Sequence, residues 1–367
     1  MPDVHLRGEM VYFFTGNKIR GNGVNLMLKA YLDQVVAGSN LSQTDAAAAM
    51  QVILDGQATE AQIGAFLTAL KIKGEKVEEI AGFARTLIGQ ADRVQHSRPV
   101  ICNCGTGGDT KNTFNISTAV AFVLAGAGLQ VAKHGNRSVS SSCGSADVLA
   151  ALGVNVDLPA ERVSEEIETV GIGFLFAPAL NKAMRFVAKP RKELGFRTVF
   201  NLLGPIINPA RLDYQLVGVY DEALTEKVAA VLSEVGVRQA MVVHSNDGMD
   251  EISTQAKTKV SELRDGNVRS YEIDPQSYGF AGGILADYAG GTPAENAEIL
   301  RAVLAGSQGP KRDVVLLNAA AGLYIAGRVS SLEAGLLLAA EVVDSGRAQQ
   351  KLDELIVFSN SNLAAAL

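Results

Sequence analysis

Three cysteines, Cys102, Cys104 and Cys143, are all that a chain of 367 residues carries. That is too few for a disulfide framework and points to a reducing, cytoplasmic setting. Cys102 and Cys104 are one residue apart with no second ligand pair, which argues against zinc and for small buried side chains. No apolar run is long enough to span a bilayer. The opening MPDVHLRGEMVYFFTGNKIRG holds only the short apolar patch VYFF, so it does not read as a secretory signal. Residues 1–23 are expected to be a poorly ordered leader, with structure beginning near Met27. Positive charge is not in excess: 33 Lys and Arg against 39 Asp and Glu leave a net −6. This argues against nucleic acid as a partner, but not against a phosphate ligand held by a local positive site. Strand-like patterning is missing from the first 95 or so residues.

What is present is a soluble composition, 47% hydrophobic and 20% charged, in a length that suits two domains. Residues 24–95 read as short amphipathic helices. MLKAYLDQVV has helical spacing, Ser42 is placed to cap QTDAAAAMQVIL, and Thr59 opens EAQIGAFLTALKIKG. A fourth helix runs through VEEIAGFARTLIG. From residue 99 to the end, β-prone runs (VICN, LQVAKHG, TVFNLLG, QLVGVY, QAMVVHS) alternate with helical stretches. A further helical contribution to the first unit is expected from about 178–192. The fold class is therefore α/β: a small all-helical N-terminal domain and a larger α/β domain with a mostly parallel central sheet. Ligands of such sheets bind at the carboxyl ends of the strands.

Four stretches fall at such ends. The first, CGTGGDTKNTFNIST from Cys104 to Thr118, is strand, glycine loop and helix start. Glycines let the backbone turn and approach a ligand closely, and a helix N-terminus offers free N–H groups, which together form an anion site. The second, KHGNRSVSSSCGSAD from Lys133 to Asp147, gathers cations, amides and hydroxyls of the kind a phosphorylated ligand needs. Gly144, Ser145 and Asp147 mark it as an ordered loop. His134 is a general base by type, or a donor beside Lys133. In the third, Phe174 to Ala210, Arg191 follows Pro190 among apolar residues and suits bidentate capture of a carboxylate. Gly204-Pro205 gives a stiff apolar wall. In the fourth, VVHSNDGMDEIS, Asp250 and Glu251 are adjacent acids, a pattern used to hold Mg²⁺ together with substrate phosphate.

Taken together, these stretches resemble the anthranilate phosphoribosyltransferase family, from about Met27 onward. ATEAQIGAFLTALKIKGEKVEEIAG and NAEILRAVLAGSQGPKRDVVLLNAAAGLYIAG extend the likeness. The resemblance implies a nucleoside-phosphorylase-like architecture, Mg²⁺ as cofactor, and a homodimer formed through the helical domains. It implies transfer of phosphoribose from phosphoribosyl pyrophosphate to anthranilate, a step of tryptophan biosynthesis. By the same resemblance, Gly105, Gly108, Asp109, Thr113, Asn115, Ile116, Ser117 and Thr118 hold the phosphoribosyl pyrophosphate. Lys133, His134, Gly135, Asn136, Arg137, Ser138, Val139, Ser140, Ser141 and Ser145 wrap it, with Lys133 stabilising the leaving group. Gly105, Asn136, Asn181, Arg191, Gly204 and Pro205 face anthranilate, and Ser117, Asp250 and Glu251 face the metal. No covalent or obligatory acid–base residue is implied. Three positions depart from the family: Thr110 stands where glycine is usual, Ser142 where lysine is frequent, and Asn181 where FAPxxH places histidine. Asn keeps a donor and an acceptor but cannot become cationic. A pyrimidine nucleoside phosphorylase and a non-catalytic nucleic-acid-binding relative share the fold. The acid pair and the long NIST loop favour a pyrophosphate donor over the first, and the net charge speaks against the second.

Overall fold

A computed structural model of the chain describes residues 27–109, 111–138, 142–280 and 282–361. The leader 1–23, Thr110 and the loop residues Val139, Ser140 and Ser141 lie outside the described residues.

Four helices come first: α1 (Met27–Val36), α2 (Gln43–Leu54), α3 (Glu60–Lys73) and α4 (Val77–Gln90). Their ends are where the sequence puts them. The Ser42 hydroxyl accepts from Asp45 N–H at 3.1 Å, and Thr59 and Gln62 cap each other's backbone N–H at 2.9 and 3.2 Å, a capping box that satisfies two otherwise orphaned donors. Ile53, Phe66, Leu70, Ile80 and Phe83 fill the centre. Glu79 is buried yet fully employed. It accepts from Leu41 N–H (2.9 Å), Lys76 N–H (2.8 Å) and Lys73 Nζ (2.8 Å), so one carboxylate ties two interhelical connections together.

The α/β part runs β1 (Val100–Gly105), α5 (Ile116–Gly126), β2 (Gln130–Gly135), α6 (Ser145–Leu152), α7 (Ala160–Thr169) and β3 (Ile172–Phe176). It continues with α8 (Ala177–Leu180), α9 (Arg185–Leu194), α10 (Val199–Ile206), β4 (Tyr214–Gly218), α11 (Thr225–Glu234) and β5 (Gln239–Ser245). A hairpin, β6 (Thr258–Arg264) and β7 (Asn267–Ile273), precedes α12 (Pro293–Leu304), α13 (Pro310–Ile325), α14 (Leu332–Asp344) and α15 (Arg347–Asn360). The sheet order is β3-β2-β1-β4-β5-β6-β7. The first five strands are parallel and the last two antiparallel, so the expected mostly parallel sheet carries an antiparallel edge. TVFNLLG is not a strand. Asn201 Oδ1 accepts the Thr198 N–H at 3.0 Å, and that cap starts α10 instead. No helix among the described residues is long and apolar enough to cross a membrane.

Strand alternation divides the core in two. Ile101, Val131, Phe174, Leu216 and Met241 face α5 and α13. Cys102, Ala132, Leu175, Val217 and Val242 face the helical bundle, α10 and α11. α9 packs against α2 and α3, and α10 against α3 and α4. Every parallel strand therefore ends at one rim, with α5 below one face and α8–α10 and the bundle below the other.

Candidate functional site

Gly105 closes β1 beside Gly218 of β4. Both glycines are required by close approach rather than by turning. A Cβ on Gly105 would lie 2.2 Å from Asp250 Oδ2, and one on Gly218 would lie 1.5 Å from the Asp250 carbonyl oxygen. The loop then turns through positive φ at Gly107 (64°) and Gly108 (78°). Gly107 N–H donates to Asp250 Oδ2 at 3.0 Å, Thr106 N–H to Gly218 O at 2.8 Å, and Lys111 N–H to Asp109 Oδ1 at 3.1 Å. Thr113 bridges to Ala289. Asn115 precedes α5, with its Nδ2 on Cys143 O at 3.1 Å and its Oδ1 taking Asn296 Nδ2 at 3.0 Å. Ile116 and Thr118 turn away from the rim. Both side chains are buried, their N–H groups bond Phe114 O and Asn115 O, and the Thr118 hydroxyl has no hydrogen-bond partner. Ser117, half-buried between them, is the link: its backbone lies close enough to Glu251 to lower that acid's pKa, and its hydroxyl takes Lys133 Nζ at 3.1 Å.

At the end of β2, neighbouring residues part. Lys133 lies on the α5 face with Val131, its Nζ also donating to Asn103 O at 2.6 Å. His134 lies on the bundle face with Ala132, its ring near enough to the Gly204 backbone for that group to act on its pKa. Burial pulls its pKa down to about 4, the Gly204 backbone opposing and Lys133 assisting, so the ring is neutral, and its Nε2 is buried without a partner. A Cβ on Gly135 would be 2.1 Å from Ser145 Oγ. Asp147 organises the serine-rich loop from below. It accepts from Ser138 N–H (2.9 Å) and Gly144 N–H (3.0 Å) and pairs with Arg137 (3.1 Å). Burial pushes its carboxyl up, but those donors outweigh burial and hold it below the usual range. Asn136 O accepts Ala146 N–H at 3.1 Å, securing the loop to α6.

The acids converge from separate loops. The connection after β5 is clamped by the buried Asn318 of α13, whose amide meets Ile252 N–H at 2.9 Å and Ile252 O at 2.8 Å. This presents Asp250 and Glu251 to Asp109. Burial and then the Asp109 charge push Asp250 up to about 7. Burial and Asp250 push Glu251 well above its ordinary range, with Lys133 pulling the other way. Among the described residues no three His, Cys, Asp or Glu side chains are arranged to hold a metal ion by themselves. The cluster is one that a cation arriving with other oxygen ligands would relieve.

Across the bundle-side wall, the Arg191 guanidinium lies 5.2 Å from the Phe200 ring centroid. Burial lowers its pKa, and its charge meets no carboxylate among the described residues. Gly204 has nothing within 4 Å of where a Cβ would stand, and Pro205 O is held by Gln215 Nε2 at 2.6 Å. Asn181 sits apart. It is buried, with Nδ2 3.5 Å from Leu87 O of α4 and Oδ1 unpartnered. Sequence reasoning did not single out Asn103, whose Nδ2 donates to Ser117 O at 2.6 Å, Asn318 or Arg197. The first two sit inside apolar runs, where an isolated Asn is the available signal.

Two polar loops beside a helix N-terminus, an acid cluster and an unpaired arginine across the rim suit transfer of a phosphorylated group. Comparison with known proteins agrees. Residues 29–91 match the helical bundle domain, and residues 97–349 the a/b domain, of a glycosyl transferase family, so the class is a two-domain glycosyl transferase. The anthranilate phosphoribosyltransferase of Acetivibrio thermocellus is 54% identical over 336 residues, 91% of this chain and 97% of that protein. That of Moorella thermoacetica is also 54% identical, over 91% and 99%. The crystal structure of the Thermus thermophilus enzyme superposes with a TM-score of 0.85 at 40% identity, over 90% of this chain and 99% of that one. The Saccharomyces cerevisiae enzyme in complex with PRPP and Mg gives 0.83 at 30% identity, over 91% and 98%. The chain belongs to the anthranilate phosphoribosyltransferase family.

Proposed function

We propose that this chain transfers phosphoribose from phosphoribosyl pyrophosphate to the amine of anthranilate, in tryptophan biosynthesis. The observation that carries the reading is the meeting of Lys133, Ser117, Asp109, Asp250 and Glu251 at one rim, opposite the unpaired Arg191. Relatives bind the matching ligands: yeast enzyme structures hold PRPP and Mg, and 4-fluoroanthranilate.

Mg²⁺ fits the donor set. Three carboxylates crowd together, all donors are hard oxygens, and too few side chains converge to hold a metal without substrate oxygens. Asp250, Glu251 and the Ser117 hydroxyl would hold it, and when bound it supplies charge neutralisation for the pyrophosphate. Lys133 holds the departing pyrophosphate from the α5 face. Gly105, Gly107 and Gly108 allow the backbone to approach the phosphates, and Asn136, Arg137, Ser138 and Ser145 surround the ribosyl phosphate. Arg191 takes the anthranilate carboxylate as a fork, beside Gly204 and Pro205. We assign the His134 ring to this acceptor side, because the strand turns it away from Lys133. As the bond from the ribosyl carbon to pyrophosphate breaks, the neutral aniline nitrogen forms the new C–N bond and releases a proton. Positioning and electrostatics therefore dominate over acid–base work.

We also place the boundary between the helical and α/β domains at residues 95–99. A homodimer through the bundle is supported by Val36 and Ile72, which are 67% and 83% exposed at the ends of α1 and α3. The free cysteines suit the cytoplasm. Anthranilate fluorescence should fall on incubation with the protein, phosphoribosyl pyrophosphate and Mg²⁺, and only when all three are present. Unchanged fluorescence with folded protein refutes the assignment.

A further inference from the structure

Between α9, which carries Arg191, and α10, which carries Gly204 and Pro205, the chain is a short connection. Arg197 stands in it, exposed to solvent. Its Nη2 donates to the carbonyl of Gly108 in the glycine loop, and its guanidinium lies 4.0 Å over the Tyr220 ring. Tyr220 is itself fastened to that loop, its N–H donating to Thr106 Oγ1 at 3.1 Å. Arg197 therefore touches the glycine loop directly at Gly108 and indirectly, through Tyr220, at Thr106. No carboxylate pairs with it among the described residues, which the charge of Asp109, the residue after Gly108, makes notable. A third element closes on the same place: Glu75, 7% exposed in the α3–α4 connection, lies close enough to Tyr220 for its charge to act on the phenol.

We propose that Arg197 is a positioning residue that couples the donor-phosphate loop to the acceptor-binding segment. The inference rests on the function proposed above and deepens it. A guanidinium stacked on a ring and bonded to a carbonyl keeps little freedom, so fixing one of its partners fixes the other. Phosphate arriving at Gly107–Gly108 orders a loop that otherwise turns on two glycines. Arg197, bonded to that loop, then holds the connection between Arg191 and Gly204 at one distance from the donor. Acceptor binding is thereby favoured by the donor. By reciprocity, the donor is favoured by the acceptor to the same degree.

The test uses Mg²⁺ with inorganic pyrophosphate as an unreactive donor mimic and calorimetric titration of anthranilate into the full chain. In the wild type, pyrophosphate should tighten anthranilate binding at least about fivefold. In Arg197→Gln the same addition should change it by less than about twofold, while anthranilate binding without pyrophosphate stays near wild type. Arg197→Lys, which keeps the charge but not the fork, should recover only part of the coupling. A merely structural role would weaken both titrations together. Full coupling in Arg197→Gln, or none in the wild type, overturns the inference. If Arg197→Gln does not fold, Arg197→Lys and Tyr220→Leu decide it by the same ratio. Wild-type turnover is measured alongside. Turnover with uncoupled wild-type binding sinks only the inference, and absent turnover sinks the proposed function with it.

Discussion

Substituting Gly105 by alanine should separate folding from catalysis. Gly105 has no positive φ, so alanine suits its backbone and the effect comes from the methyl group alone. That methyl would stand 2.2 Å from Asp250 Oδ2 and 2.9 Å from its Cγ, where carbon contacts ordinarily begin near about 3.5 Å. The acid loop cannot slide back as a unit, because Gly218 packs against the Asp250 carbonyl and Asn318 grips Ile252 on both sides. The carboxylate must therefore swing away by roughly 1 Å, breaking its bond from Gly107 N–H. Hydrogen bonds to charged groups contribute about 1.5–3 kcal/mol, partly recovered here because Asp250 also leaves the neighbourhood of Asp109. The net loss of stability should be small, about 1 kcal/mol or less. A reacting group misplaced by about 1 Å costs on the order of 100-fold in rate. Gly105→Ala should thus fold with a melting temperature close to wild type, lose about 100-fold in kcat/KM, and need more Mg²⁺ for half-maximal rate. Gly218→Ala is the contrast. Its Cβ meets backbone at 1.5 Å, which no rotamer relieves, and it should fail to give soluble folded protein. Steady-state fluorescence against Mg²⁺ concentration, with thermal melts of each variant, reads all of this. Wild-type kcat/KM and Mg²⁺ dependence in Gly105→Ala would refute the placement of Asp250 at the reacting end.

Arg191→Ala removes a cation with no other carboxylate to serve. The anthranilate KM should rise about 30- to 150-fold, for a charged bond of roughly 2–3 kcal/mol, with the donor KM little changed. Equal rises in both would contradict the carboxylate clamp. Glu166 of α7 is 1% exposed, and burial pushes it from 4.5 up to about 8, against a bond from Phe174 N–H and the charge of Arg162. An acid raised on folding contributes stability that is full below 4.5 and is lost as pH rises through about 8. Glu166→Gln should therefore gain on the wild type by about 2–3 kcal/mol between about pH 6 and pH 9. Urea melts at the two pH values check this, and parallel pH profiles would count against it.

The signals that reach through the sequence are local and chemical. Ser42, Thr59 and Asp147 act on backbone groups within three residues or within one loop, so their roles are visible in spacing. The glycine loop, the serine-rich loop and the acid pair each announce a strand end, and the structure brings them to one rim. What stays hidden depends on partners far away in the chain. TVFNLLG has strand-like residues, but its cap and its packing on the bundle make it helix, tertiary context overriding propensity. The antiparallel hairpin after β5 turns on Asp265-Gly266, both at positive φ, a local signal that a list of apolar β-prone runs passes over. His134 looks like a companion of Lys133 because the two are adjacent, yet adjacency within a strand places them on opposite faces. The amide of Asn181 also meets α4, a contact that its motif does not show. Arg197 carries no motif of its own and is recognised by what it touches.

α5 is buried over almost its whole length, from Thr118 to Gly126 as well as at Ile116. The helix at whose N-terminus we place the donor is also a central rod of the core. A residue changed there disturbs the fold before it changes the chemistry, so donor recognition and foldability are inherited together. α10 is mostly buried too, but the two positions proposed to meet the acceptor are freer: Arg191 stands partly exposed on α9, and Gly204 opens onto free space. On the proposed assignment, substitutions at those two positions can alter acceptor recognition at little risk to the core, whereas a change along the buried length of α5 acts on folding first.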